Sequence, residues 1–316
     1  VKIIIISGPT ASGKTMQSLK LASLFNGEIV NFDSLLFYKE INIGTAKPTP
    51  NEMLQVPHHL INIHSIKDPI NAAEYSKLAT NLIQKLHQEK KTIFLVGGSG
   101  FYLQALLKGM YESQTTSPAI TKKSDELYFS EGIEPFIEIL KNHDEKSYLR
   151  YHRNDHYRIR RAVEHWWSHL SPLSLAREIK EKSNLNLKDG NIHGWDLLHI
   201  FLDVPREIHL EIIAKRTNQM VRDGLIQEVQ SLLEQGHSGL EKPLQSIGYK
   251  ESLDYINGKI KSDDELIEKI IISTRQLAKS QRTWFNQIKN KHHFNPISDS
   301  EMISKLVNDF LNKSMR

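Results

Sequence analysis

The chain has 316 residues, with 41 Lys and Arg against 37 Asp and Glu, a formal net charge of +4 and no cysteine. That length supports a large core and more than one structural unit. The lack of cysteine excludes disulfides, a zinc knuckle and thiol catalysis, and no run of about eighteen apolar residues offers a membrane span. Val1-Lys2-Ile3 runs straight into a strand, which leaves no room for a signal peptide, so a cytoplasmic protein is expected.

The first expected element is the buried strand Ile3-Ile4-Ile5-Ile6. Directly behind it stands Gly8-Pro9-Thr10-Ala11-Ser12-Gly13-Lys14-Thr15, followed by a helical pattern. The run fits the phosphate-binding pattern G-x-x-x-x-G-K-[ST]. Its glycines let backbone N–H groups turn toward phosphate oxygens, where the next helix also presents its positive end. Lys14 can reach a terminal phosphate, and the Thr15 hydroxyl can sit on Mg²⁺. Gly8, Thr10, Ala11, Ser12, Gly13, Lys14 and Thr15 are therefore assigned to a diphosphate site, with Thr15 its metal contact. Kinases, hydrolases and prenyl transferases all use such a loop, so the residues downstream must discriminate among them.

A second buried strand, Glu28-Ile29-Val30-Asn31-Phe32, leads into Asp33-Ser34-Leu35-Leu36. The apolar spacing of Leu78, Leu82, Ile83 and Leu86 predicts a helix over 72–89. A third strand, Thr92-Ile93-Phe94-Leu95-Val96, ends in Gly97-Gly98-Ser99-Gly100. Ligands of open parallel sheets bind beyond the carboxyl ends of strands, so the glycine-rich loop, Asp33 and Ser99 should share one crevice. From about 110 to 195 the strands stop, and 113–118 reads as a loop leading into helices. A strand returns at Leu197–Asp203, and helices are expected near 205–222, 224–235 and 264–289. The fold class is thus α/β: a P-loop NTPase-like parallel sheet with a mostly helical inserted domain and C-terminal helices. The expected divisions are 1–110 for the first part of the core, 111–195 for the insertion, and 196–316 for core completion and C-terminal helices.

Charge gathers locally. Arg150, Arg153, Arg158, Arg160 and Arg161 fall within twelve positions with a single opposing carboxylate, Asp155. On a helix Arg158, Arg161 and His165 share one face and Ile159, Val163 and Trp166 another, so one face can pack while the other meets a phosphate backbone. The pairs His58-His59 and His292-His293 lack the spacing of a helical metal site and are read as packing or solvent contacts.

Together these blocks resemble the tRNA dimethylallyltransferase family, bacterial type. The likeness continues in Asn154-Asp155-His156-Tyr157-Arg158-Ile159-Arg160-Arg161-Ala162-Val163-Glu164, Arg216-Thr217-Asn218-Gln219-Met220, Ile247-Gly248-Tyr249-Lys250-Glu251 and Gln281-Arg282-Thr283-Trp284-Phe285. It spans nearly the whole chain and is weakest over 110–150 and 165–195. The resemblance implies transfer of a dimethylallyl group from dimethylallyl diphosphate to N6 of the adenosine 3′ of the anticodon, position 37, in tRNA. It implies Mg²⁺ as cofactor, the anticodon stem-loop as partner, and no membrane or obligate protein partner. Asp33 is then the base that takes the N6 proton, with Thr10 and Ser99 beside the reacting groups, and Arg216 joins the diphosphate site. tRNA contacts fall on Asp33, Ser34, Leu35, Leu36, Ser99, Tyr157, Arg158, Ile159, Arg160, Arg161 and Arg282. Phe37, Phe101 and Tyr102 are candidate walls for the prenyl tail, although each can equally be core. Two departures stand out: Leu36 occupies a position where the family usually has glutamine, and Ser99 one where it has threonine. Other readings remain open by class: a P-loop small-molecule kinase, an RNA-binding protein on a retired enzyme scaffold, and an adenylate isopentenyltransferase acting on free AMP.

Overall fold

The computed structural model describes residues 1–109, 116–184 and 191–313. The chain divides into two compact units, 1–106 with 194–316, and 107–193. The insertion thus begins and ends a few residues before the expected 111–195. Half of the loop read at 113–118 lies outside the described residues, and Pro118 already opens a helix.

In the first unit, β1 (Lys2–Ser7) passes through the glycine-rich loop into α1 (Lys14–Leu24), and β2 (Gly27–Asn31) leads to α2 (Pro50–Gln55) and β3 (His58–His59). Next come α3 (Ala72–Gln88), β4 (Thr92–Gly97) and α4 (Gly100–Lys108). The helix α3 starts at Asn71, whose side chain accepts from the amides of Ala73 and Glu74, and its buried residues Tyr75, Ala79, Ile83 and Leu86 lie along one face.

The second unit is helical, with α5 (Pro118–Glu131), α6 (Glu134–His143), α7 (Glu145–Arg150), α8 (His156–His169) and α9 (Leu173–Asn184). Phe136, Leu140, Ile159, Ala162, Val163 and Leu173 form its core. The first unit then resumes with β5 (Asp196–Leu202), α10 (Arg206–Arg222), α11 (Leu225–Glu234), α12 (Tyr249–Ile256), α13 (Asp263–Phe285), β6 (His292–Phe294) and α14 (Ser300–Asn312).

The sheet order is β3-β2-β4-β1-β5-β6, and every pair is parallel. Strand β1 is central and almost wholly buried, which is why it reads as an unbroken isoleucine run rather than an alternating one. Ile4, Ile6, Phe94, Ile200 and Leu202 pack on one sheet face with Ile303 and Val307 of α14. A separate cluster under α11 to α13 holds Leu225, Val229, Tyr249, Leu253, Leu266 and Ile270.

The four long strands fall where the apolar runs place them. The two edge strands escape a sequence reading because they have two and three residues, too few for any periodicity. Both histidine pairs lie in these edges. His59 pairs with Glu28 at 2.7 Å and the His58 ring bonds the Val56 carbonyl at 2.7 Å. Among the described residues no three His, Asp or Glu gather as a metal site.

Candidate active site at the strand ends

The loop 8–14 curls because its backbone alternates. Ala11 has φ 61° and Gly13, which precedes α1, has φ 80°. Residues of positive φ set between residues of negative φ turn successive N–H groups to one side and form a concavity for an anion. Gly13 is packed as well, since a Cβ there would lie 3.3 Å from the Pro296 ring. Lys14 lies back over the loop, its Nζ donating to Gly8 O at 3.1 Å and Pro9 O at 2.7 Å. Burial lowers its pKa to about 8; nearby Asp33 opposes this shift and Arg216 adds to it. Arg216, on α10, has its pKa lowered by burial against the pull of Asp33, and its guanidinium reaches Thr10 Oγ1 at 3.4 Å. Lys14, Arg216 and Asp33 therefore act on one another electrostatically within one crevice.

The loop after β2 brings in Asp33. Asn31 fixes the turn, accepting from Asp33 N at 2.8 Å and donating to Asp33 O at 3.1 Å and Leu60 O at 3.0 Å. The carboxylate accepts weakly from Leu35 N at 3.3 Å. The loop after β4 adds Ser99, whose hydroxyl accepts from Ser34 N at 3.0 Å and donates to Ser34 Oγ at 3.2 Å. A Cβ added at Gly98 would lie 2.6 Å from Gln281 Nε2 and 3.5 Å from both Asp33 Oδ2 and Gly8 O. One glycine thus marks the place where three loops and α13 meet.

Several expected site residues have other roles. Arg282 is held inside the first unit: its guanidinium binds Asp203 with Nε–O distances of 3.0 Å to both oxygens, and Nη2 donates to His209 Nδ1 at 2.7 Å. Through Nε and Nη2 it braces the loop after β5 against α10. Leu35 turns its side chain into the core beneath α11 to α13, leaving only its backbone toward Asp33. Leu36 is half-buried in the same turn, its carbonyl accepting from Asn62 N at 3.0 Å. Phe37 and Tyr102 pack against each other and Tyr75 as core, with Phe37 fully buried, while Phe101 is 57% exposed.

In the helical unit, α8 begins at Asp155, whose side chain accepts from Arg158 N. Tyr157 is 67% exposed, and Arg158 is exposed and paired with Asp155. Arg161 is partly exposed and paired with Glu164. Ile159, by contrast, is buried at 3% and lies in the core of this unit. Arg160 bonds Asp125 and Ser124 and stacks over Tyr128 at 4.7 Å, so its cation is committed internally. His165 is buried beside His169 with ring centres 4.5 Å apart, and does not share an open face with Arg158 and Arg161. The reason is that α5, α6, α7 and α9 all pack on α8, so its buried arc is wider than the apolar positions alone suggest. Trp166 is half-buried and stacked on His143, and Trp167 packs on Phe136.

The sequence reading missed Gln281, His209 and Asp203. Gln281 Oε1 accepts from Thr10 N at 2.7 Å and its Nε2 donates to Gly98 O at 3.0 Å. His209 Nε2 bonds Thr10 O at 2.8 Å. The signal available was the Gln281-Arg282 pair itself, two long polar residues on a helix inside an otherwise recognisable block.

A six-stranded parallel sheet whose central strand runs through a glycine-rich loop into a helix, with a carboxylate delivered after β2 and a hydroxyl after β4, defines the phosphate-loop class of α/β proteins. Within that class, the chain belongs to the IPP transferase family, whose profile matches residues 36–288. It is 39% identical over 287 residues to tRNA dimethylallyltransferase 2 of Geotalea uraniireducens, covering 91% of this chain and 90% of that one. It is 36% identical over 295 residues to the tRNA dimethylallyltransferase of Staphylococcus aureus, covering 92% and 91%. Among solved structures, the tRNA delta(2)-isopentenylpyrophosphate transferase of Staphylococcus epidermidis matches over 99% of both chains at 33% identity, TM-score 0.69. A eukaryotic dimethylallyltransferase acting on tRNA matches all of this chain and 81% of its own, at 26% identity and TM-score 0.82.

Proposed function

We propose that this protein is an enzyme that transfers a dimethylallyl group from dimethylallyl diphosphate to N6 of the adenosine 3′ of the anticodon, position 37, in tRNA. The observation that carries the reading is the meeting of Lys14, Arg216, Asp33, Thr10 and Ser99 at the carboxyl ends of β1, β2 and β4 in a member of this family. In the reaction the C1–O bond of the donor breaks, its electrons leave with diphosphate, and the N6–C1 bond forms as N6 loses a proton. Lys14 and Arg216 are cations with lowered proton affinity, held where charge grows on the leaving oxygen. Lys14 exchanges its two carbonyl partners for phosphate oxygens when the donor enters. Asp33, on a turn fixed by Asn31, accepts the N6 proton, and the hydroxyls of Thr10 and Ser99 orient the amine and the bridging oxygen.

The donor set at Thr15 suits Mg²⁺. A single hydroxyl, completed by phosphate oxygens and water, is the sparse protein coordination that this ion accepts. When bound through Thr15 it supplies further neutralisation of the leaving diphosphate. The acceptor base must leave its stack to reach the crevice. The anticodon stem-loop backbone is met by exposed residues of α8, above all Tyr157, Arg158 and Arg161.

The test is incubation with labelled dimethylallyl diphosphate and Mg²⁺, separately with total tRNA, AMP and ATP. Label is expected in tRNA, at the adenosine following the anticodon. Label in AMP alone, or phosphate transfer from ATP with no prenyl transfer, overturns the reading.

A further inference from the structure

Thr10 stands in the middle of the phosphate loop, yet both polar groups of its backbone are taken by side chains from far along the chain. Its N–H donates to Gln281 Oε1 at 2.7 Å, and its carbonyl accepts from His209 Nε2 at 2.8 Å. The chemistry of the partners determines the His209 tautomer. A carbonyl only accepts, so Nε2 carries the proton. A guanidinium only donates, so Nδ1, 2.7 Å from Arg282 Nη2, carries none. The imidazole is held neutral, and burial, which lowers its pKa, acts in the same direction. Arg282 is in turn fixed by two oxygens of Asp203, which leads the chain out of β5. Asp203, Arg282, His209 and Thr10 thus form one relay.

The same helix also grips the loop that carries Ser99. Gln281 Nε2 donates to Gly98 O at 3.0 Å. A Cβ at Gly100 would lie 2.2 Å from Cε3 of Trp284, so the backbone on the far side of Ser99 rests directly on that indole. Ser99 is therefore framed by two glycines, each pressed against a residue of α13. A loop needs no such grip merely to bind phosphate, because the Thr10 amide that Gln281 occupies is withdrawn from any anion.

Resting on the prenyl-transfer reading above, we propose that Gln281 and the Asp203–Arg282–His209 relay are positioning residues that fix the hydroxyls of Thr10 and Ser99 relative to one another for the transfer step. Their role separates from diphosphate binding, which falls to the amides after Thr10 and to Lys14. Geometry of reacting groups is worth large factors in rate, so loosening it should lower turnover and leave donor affinity in place.

The experiment compares the full-length parent with Gln281→Met, His209→Phe and His209→Gln. It measures kcat and KM for both substrates, binding of inorganic diphosphate with Mg²⁺ by calorimetry, and the thermal midpoint. Gln281→Met keeps shape and loses both hydrogen bonds; it should lower kcat by roughly 10–100-fold, with donor KM and diphosphate affinity within ~3-fold. His209→Phe should do the same. His209→Gln should recover most of the lost turnover, because an amide can donate to Thr10 O and accept from Arg282. The Phe and Gln pair at position 209 also carries the test if Gln281→Met does not fold.

The proposal is overturned if kcat for Gln281→Met and His209→Phe stays within about twofold of the parent. It is equally overturned if diphosphate affinity falls in step with kcat, or if Gln fails at position 209 as completely as Phe. A parent that binds diphosphate but prenylates no tRNA removes the function reading itself, a result distinct from an active parent with unaffected variants.

Discussion

The cations of the phosphate crevice and the exposed arginines of the helical unit are held in opposite ways. In the sheet unit, Lys14, Arg216 and Arg282 are half-buried, and burial lowers the proton affinity of the first two. Each has partners of defined geometry, with Lys14 on two carbonyls and Arg282 on a carboxylate and an imidazole. In the helical unit, Arg153 and Arg158 are exposed and paired with surface carboxylates. Exposed pairs of this kind are worth only about 0–1 kcal/mol and are readily exchanged for other anions. A small ligand whose bond must break rewards a few desolvated charges in fixed places. A polyanion such as an RNA backbone rewards many loosely held ones.

The sharpest way to break this contrast is at Asp33. Asp33→Asn keeps the shape but cannot take a proton, and transfer is expected to fall by about 10²–10⁴-fold while donor binding persists. A single-turnover assay showing a loss of only a few-fold would make Asp33 a turn residue. Lys14→Ala comes next, with transfer reduced by roughly 10²-fold or more and tRNA affinity nearly unchanged. A parallel collapse of tRNA binding in filter assays would place Lys14 in the RNA site.

The lowered pKa of Lys14, about 8, adds a pH signature. Below that value the free protein carries the cation that diphosphate needs, and above it the cation must be regained at the expense of affinity. Diphosphate affinity should therefore weaken as pH rises past about 8, with proton uptake on binding in that range. Calorimetry in two buffers of different ionisation heat measures the uptake, and a flat profile from pH 7 to 9 would exclude Lys14 as the titrating partner.

On the helical side, Arg158→Ala should weaken binding to all tRNAs alike and reduce the salt slope by about one unit. Arg160→Ala sharpens the point from the other direction. Its stacking on Tyr128 and its bonds to Asp125 and Ser124 are internal, so it should lower the thermal midpoint and leave the salt slope alone. The smallest effect is expected at Leu36→Gln. A side-chain amide gained in this turn is worth ~0.5–1.5 kcal/mol toward one base, read by competitive prenylation of stem-loops differing only at the modified position.

How much of this was legible beforehand varies with the distance over which a residue acts. The glycine-rich loop and the four long strands are local patterns, in which adjacent residues specify their own geometry, and they could be read directly. Arg160 and Arg161 look alike in sequence, yet one is stacked into a core and the other is not, because only the packing of α5 beside α8 decides. Periodicity sets His165 on the face of Arg158 and Arg161, yet it is buried, because helix periodicity carries no information on how many neighbours surround the helix. Gln281, His209 and Asp203 are separated from Thr10 by most of the chain, and no spacing rule connects them. The block containing Arg282 is visible in the sequence, but its carboxylate partner is not, because Asp203 comes from the end of β5, 79 residues away.

Strand β1 pairs on one side with β4 and on the other with β5, where Ile4 faces Leu198. During synthesis this means that the centre of the sheet emerges long before one of its two neighbours exists. An isoleucine-rich edge is left open meanwhile, the kind of surface that recruits chaperones or stray strands. The helices of 107–193 are contiguous in sequence and can close on themselves during that interval, whereas the phosphate loop cannot be finished until α10 and α13 have been made. Nascent-chain lengths ending before Gln281 should therefore be protease-sensitive at residues 8–14 while α5 to α8 are already protected, a sequence of events that ribosome-bound pulse proteolysis can time.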